Sequence, residues 1–185
     1  FYSVQSYDVT KIADKGFVGF KNFKTLFADK IFYRSLSVSV KWVLTEVVSQ
    51  LVIGMILALL LDKKFKGRGI YRCIVFFPWA VSGVLTSMLW SLIYNENIGL
   101  LNSICKDFGL ITKNMAWLGN MKTVFKSTAV AELWRGIPFF AITILAALQN
   151  IPGDLHEASV MDGANTLQEI FLIKIPILKD TIILT

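Results

Sequence analysis

The chain has 185 residues, 55% of them hydrophobic and only 17% charged, with a net charge of +6. An average soluble domain carries nearer a quarter of charged residues, and here the apolar excess is gathered into long runs, the pattern of an all-α protein threaded through a bilayer. The positive charge does not point to nucleic acid, because the lysines and arginines flank apolar runs and form no basic stripe interleaved with aromatics.

Residues 1–35 hold no run long enough to span. They read as an extramembrane segment with interfacial pieces, in which Phe20, Phe23 and Phe27 share one face of a short helix and Phe17 suits the headgroup boundary. A first span is expected over about 40–61. Lys41 can snorkel at its edge, Glu46 lies deeper, and Gly54 and Ala58 form a small-residue pair that admits a neighbouring helix. Residues 62–72 carry five Lys or Arg, so this turn is expected in the cytoplasm.

Residues 73–94 contain no charge and read as the second span, with Pro78 as a kink position and Gly83 and Ser87 as another small pair. By parity residues 95–122 lie outside, as turns and short surface helices. The third span, about 127–149, carries Glu132, Arg135 and a kink at Pro138. Glu132 and Arg135, three apart, can neutralise each other or serve a polar pathway. Glu46 can bond Gln50 one turn on or meet a further helix. Trp90, Trp134, Phe139 and Phe140 are either pathway lining or packing. A further span starts at about 176–185. The chain opens on Phe1 and closes in an apolar run, so it is expected to be a piece of a longer bundle, truncated at both ends.

The loop between the third span and the last, about 152–173, should also be cytoplasmic, yet residues 150–170 hold no Lys or Arg. An acidic inner loop calls for a basic partner surface. Locally, Pro152-Gly153 marks a turn, Asp154 is placed to cap a helix with Glu157 reaching back, and Gly163 can end it in a left-handed conformation. Asn165 or Thr166 can cap a second short helix running to about Ile173, and Pro176 marks a break beyond it.

Cys73 and Cys105 lack metal-ligand spacing and His156 is the single histidine, so no metal site is expected, nor any cofactor. There is no G-x-x-x-x-G-K-[ST] loop to hold a nucleotide, and no cluster of acid, base and nucleophile.

The stretch E-A-S-V-M-D-G-A-N-T-L-Q-E-I-F-L-I-K-I-P resembles the EAA loop of permease subunits of binding-protein-dependent ABC importers. Glu157, Ala158, Ser159, Gly163, Ile173, Ile175 and Pro176 stand at the motif positions, with Asp162 and Ala164 in its M-D-G-A core. Ser159 stands for the usual Ala and Ile175 for Leu. F-V-G-F-K-N-F, G-R-G-I-Y-R, F-F-P-W, N-I-G-L-L-N, W-R-G-I-P-F-F and L-Q-N-I-P follow in the order of the sugar-importer branch, so the likeness covers almost the whole chain. F-Y-S-V-Q-S-Y-D looks like the end of that family's first core helix.

The resemblance implies a multi-pass permease in a bacterial-type cytoplasmic membrane, with the fold of an ABC-importer helical bundle. It implies a docking role for the EAA loop, with Glu157 facing an ATP-binding subunit and ATP hydrolysis on that separate chain. It implies as partners a pair of ATPase subunits, a second permease in a heterodimer, and an extracytoplasmic sugar-binding protein. Import of another small solute, or a scaffold role without transport, are the alternatives.

Overall fold

The computed structural model describes residues 2–6, 16–63 and 65–184. It is helical, and among the described residues the one strand-like feature is an isolated antiparallel bridge between Gln5 and Phe17. The chain divides into two units, Phe1–Leu44 and Thr45–Thr185.

In the first unit, Tyr2–Val4 form a single 3-10 turn. The expected end of a core helix over residues 1–8 thus falls partly outside the described residues, and its described part is not α-helical. Helix α1 spans Lys21–Ala28. Asn22 ties it to the preceding chain, its amide donating to the carbonyls of Ser3 and Gln5 at 3.0 Å each. Phe20 and Phe27 are exposed, as the interfacial reading requires. Helix α2, Lys30–Asp62, opens on Asp29, whose carboxylate accepts from the Ile31 amide at 2.8 Å.

At 33 residues α2 is longer than the expected span. It extends over about 50 Å, beyond the roughly 30 Å of a hydrocarbon core. In the second unit its buried positions are Glu46, Gln50, Gly54, Ala58 and Leu61, a stripe at nearly fourfold spacing. The stripe meets α6, Val124–Gln149. A Cβ built on Gly54 would lie 2.7 Å from Cβ of Phe140 and 3.1 Å from the Ala141 amide nitrogen. One turn earlier, a Cβ on Gly136 would meet the Gln50 carboxamide at 2.5 Å. The two backbones approach this closely because each presents a glycine. Ala58, Leu61, Phe140, Ile144, Leu145, Leu148 and Leu178 complete the core.

The pairs Gln50–Gly136 and Gly54–Phe140 advance in the same direction, so α2 and α6 are parallel. The chain between them therefore returns from the Asp62 end to the Val124 end. It does so over residues 68–93, where one uninterrupted span was expected. The structure corrects this: α3, Arg68–Ala80, and α4, Gly83–Ile93, meet at 95°. Pro78 stays inside α3, and the break comes after it, where Val81 and Ser82 are extended. Pro78 has no N–H for the Ile74 carbonyl, which weakens the last turn. Ser82 then starts the next helix, its carbonyl accepting from the Thr86 amide at 2.9 Å and the Thr86 hydroxyl at 3.1 Å. By length and composition two helices, α2 and α6, can cross a membrane alone, and the bent pair makes a third if it counts as one span. The small pair Gly83 and Ser87 is exposed. Helix α6 runs unbroken through Pro138.

Basic side chains close the α2 terminus. Arg72 donates to the Leu61 carbonyl at 3.4 Å and Arg68 to that of Asp62 at 3.5 Å, cations where the helix carbonyls are unsatisfied. Between α4 and α6, Asn102 of α5 (Leu100–Asp107) is buried. Its amide donates to Glu96 and Met115 carbonyls at 3.0 Å, and its oxygen accepts from the Trp117 indole at 2.9 Å. The loop is thus an ordered knot.

The glycine contact sets a ranking. Gly54→Ala meets backbone and a Cβ, neither of which can turn aside, and should cost about 1–3 kcal/mol. Gly136→Ala meets the end of a side chain that can rotate and should cost less. Thermal unfolding in detergent should place Gly54→Ala below Gly136→Ala.

Candidate functional site

The loop after α6 is a compact two-arm element. Helix α7 spans Gly153–Met161 and begins four residues after α6 ends. Its N-cap is Pro152, with no side-chain cap, so the expected capping box of Asp154 and Glu157 does not form. The proline sets the helix to start at Gly153, one residue early for Asp154 to cap. Asp154 instead lies in the first turn, where its charge favours the N-terminal dipole.

Met161 ends α7, and Gly163 sits at φ +78. The Gly163 amide donates to the Val160 carbonyl at 3.0 Å, and the Ala164 amide to that of Ser159 at 2.9 Å. That pair of bonds is a Schellman turn, and it needs a residue tolerant of positive φ. Asn165 then caps the next arm with a complete box: it accepts from the Gln168 amide at 2.9 Å while the Gln168 side chain accepts from the Asn165 amide at 2.8 Å.

The second arm departs from a plain helix to Ile173. One α turn, Thr166–Gln168 (α8), widens into a π-helix over Glu169–Lys174. Ile175–Ile177 (α9) and Lys179–Leu184 (α10) follow, so Pro176 does not break the chain as expected. A wider turn ahead of the proline eases the clash of its ring with the carbonyl four residues back. Wide turns also bring positions i and i+5 to one side. Lys174 Nζ accordingly reaches Glu169 Oε1 at 3.0 Å. His156 Nδ1 of α7 approaches the same oxygen at 2.9 Å.

Within the loop Glu157, Ala158, Asp162 and Gly163 are exposed, Ala164 is half-buried and Ser159 is buried, its hydroxyl donating to the His156 carbonyl at 2.7 Å. Glu157 makes no hydrogen bond or ion pair among the described residues. Burial works to raise the Glu169 pKa, but hydrogen bonds from Lys174 and His156, with their charges, bring it below the ordinary 4.5. No combination of His, Cys, Asp and Glu among the described residues is arranged to hold a metal.

The intramembrane candidates separate. Glu132 and Arg135 pair at 3.3 Å, both partly exposed. Glu46 accepts from the Gln50 amide at 2.9 Å. Glu46 Oε1 and Arg135 Nε are buried with no partner in the described chain. Phe140, 7% exposed, packs in the core, whereas Phe139 is 41% exposed and stands 6.3 Å, ring to ring, from Trp79. Trp134 meets Trp90 edge to face at 6.0 Å. Tyr94, which the sequence reading passed over, lies against Trp90 at 5.2 Å and donates its hydroxyl to the Ser127 carbonyl at 2.9 Å.

Residues 50–185 match the family of binding-protein-dependent transport system inner membrane components. The chain belongs to that family. It is a multi-pass inner-membrane transport component with the fold of ABC-importer permeases. Among similar proteins is a trehalose/maltose transport system permease of Thermococcus litoralis, 37% identical over 95% of this chain and 59% of the relative. Another is a diacetylchitobiose uptake system permease of Streptomyces coelicolor, 33% identical over 91% of this chain and 51% of the relative. The chain therefore spans between half and three fifths of the length of these two relatives. A crystal structure of a bacterial ABC transporter involved in import of the acidic polysaccharide alginate has the same fold, with a TM-score of 0.82 at 24% identity, over 91% of this chain and 59% of that one.

The lowered Glu169 pKa gives a signed expectation for the permease. A carboxylate stabilised in the folded state contributes above its unfolded pKa and loses that contribution as the pH falls through the lower folded value. The melting-temperature gap between wild type and Glu169→Gln should persist down to about pH 5 and close below about pH 4.

Proposed function

We infer that this chain forms part of the translocation pathway of an ATP-driven importer for carbohydrates. In this reading it pairs with a second, related permease, receives substrate from an extracytoplasmic sugar-binding protein, and docks on a pair of ATPase subunits through the EAA loop. The observation that carries the reading is the exposed helix α7, rooted between the ends of two apolar helices and presenting Glu157 without a partner. The sequence has no nucleotide-holding loop of its own, in keeping with hydrolysis on a separate chain. The carbohydrate class is supported by relatives named for trehalose, maltose and diacetylchitobiose.

Movement of an ATPase against α7 would pass into α6 through the short joint at residues 150–152. From α6 it would pass into α2 across the glycine contact, because packed interfaces shift as units rather than deform. Trp79 and Phe139, and Trp90 with Trp134, offer aromatic faces of the kind that pack on sugar rings. Loop 62–68 and the docking element lie together at the Asp62 end of the bundle, which is the cytoplasmic side in this reading.

Purification of the full-length protein in mild detergent should bring an ATPase and a second permease with it. Glu157→Lys should lose the ATPase and keep the permease, and retention of the ATPase by that variant would overturn the docking role. In Gly163→Asp nothing lies within 4 Å of the added Cβ, so only the positive φ opposes the change. That strain is about 1–2 kcal/mol, so the variant should fold yet hydrolyse ATP without transport.

A further inference from the structure

Helix α7 is nearly detached. Its two ends join short turns, most of its side chains face solvent, and only Ser159 is buried. A docking helix held so loosely would transmit little, because force against it would tilt it before moving α6. Among the described residues one side-chain hydrogen bond leaves α7 for another element, that of His156 to Glu169.

Glu169 is suited to be the fixed end of this contact. It is 7% exposed, in a chain whose other loop acids are open to solvent. Lys174 anchors the same oxygen from the far end of the π-helix. The charged groups around it come from four elements, all lining one cavity of about 750 Å³ under α7. They are Asp62 and Lys63 beyond the close of α2, Arg68 of α3, His156 of α7, and Lys174 beside Glu169 itself. Of these, His156 and Lys174 are the two whose nitrogens reach the carboxylate within 3.0 Å.

We propose that Glu169 is the positioning residue of the docking helix, clamping α7 through His156 at the orientation in which Glu157 meets the ATPase. The proposal rests on the docking reading above. Glu169 touches neither the ATPase nor the transported solute; it acts through His156. Imidazole changes charge between pH 5 and 8, and a charged donor makes the stronger hydrogen bond. The clamp is therefore tighter in mild acid, where Lys174 and a protonated His156 both hold the carboxylate, and looser in mild base.

The test uses the full-length permease with its partner permease in lipid nanodiscs, and the copurified ATPase subunit as the probe, with Kd measured at pH 6 and pH 8. Wild type should bind more tightly at pH 6. Glu169→Gln keeps the shape and removes the charge; it should weaken binding about three- to tenfold, the worth of one charge-assisted hydrogen bond. It should also flatten the pH dependence. His156→Gln, at an exposed position that leaves the Glu169–Lys174 pair intact, should flatten the pH dependence without lowering thermal stability, and it serves as the test if Glu169→Gln does not fold. Wild-type Kd and pH response in His156→Gln would overturn the clamp. If Glu157→Lys still weakens binding in that case, the docking reading stands without it. If Glu157→Lys also binds as wild type, the docking reading itself has failed and the clamp with it.

Discussion

The close approach of α2 and α6 is the constraint from which the rest of the second unit follows. In a bilayer the hydrophobic effect does not drive helices together, so packing must. Gly54 and Gly136 remove the side chains that would hold the backbones apart, and each admits a specific neighbour, Phe140 in one case and the Gln50 carboxamide in the other. Once these helices are parallel, the intervening chain has to cross back. It must do so while still packing on α6, and α3 and α4 both contact that helix. The bent pair meets both demands. The last segment then closes over the same axis, with Leu178 among the most deeply buried side chains.

Polar groups are placed with the same economy. The arginines following α2 satisfy carbonyls at its end, Asn102 gathers the outer loop around one amide, and the loop after α6 satisfies its termini through Gly163 and Asn165. The acids left over, Asp154, Glu157 and Asp162, are those on the open side of α7. A loop that saturates its own backbone and leaves a row of acids free is chemically prepared for a basic surface.

Much of this was legible because it is local. Helical spacing was enough for the Gly54 and Ala58 stripe, for Glu46 with Gln50, for Glu132 with Arg135, and for the glycine at the end of α7. What escaped has long range or no periodic signature. The turn at Val81–Ser82 lies inside an uncharged run, and composition does not distinguish a straight helix from two joined at 95°. The failed capping box turned on a shift of one residue in the start of α7, within the margin by which helix ends vary. Residue 169 reads as one more acid in an acidic loop; its partners lie five residues ahead and thirteen behind, and the first is within reach only because the turn is wide. His156 drew notice only as a lone histidine unfit for a metal.

The π-helix at Glu169–Lys174 carries one residue more per turn than the α-helix it interrupts, and so fixes the phase of everything after it. Each residue of an α-helix advances the chain by about 100°. Were this segment shortened by one residue, it would revert to α geometry, and α10 would rotate by that amount about its axis. Leu178 and Ile182 would swing off the core they now complete, while Glu169 and Lys174 would part. The spacing between the M-D-G-A turn and the closing helix is therefore as much a part of the site as the residues in it, and an alignment of chains of this kind that ignores the length of the interval would miss what holds the loop in register.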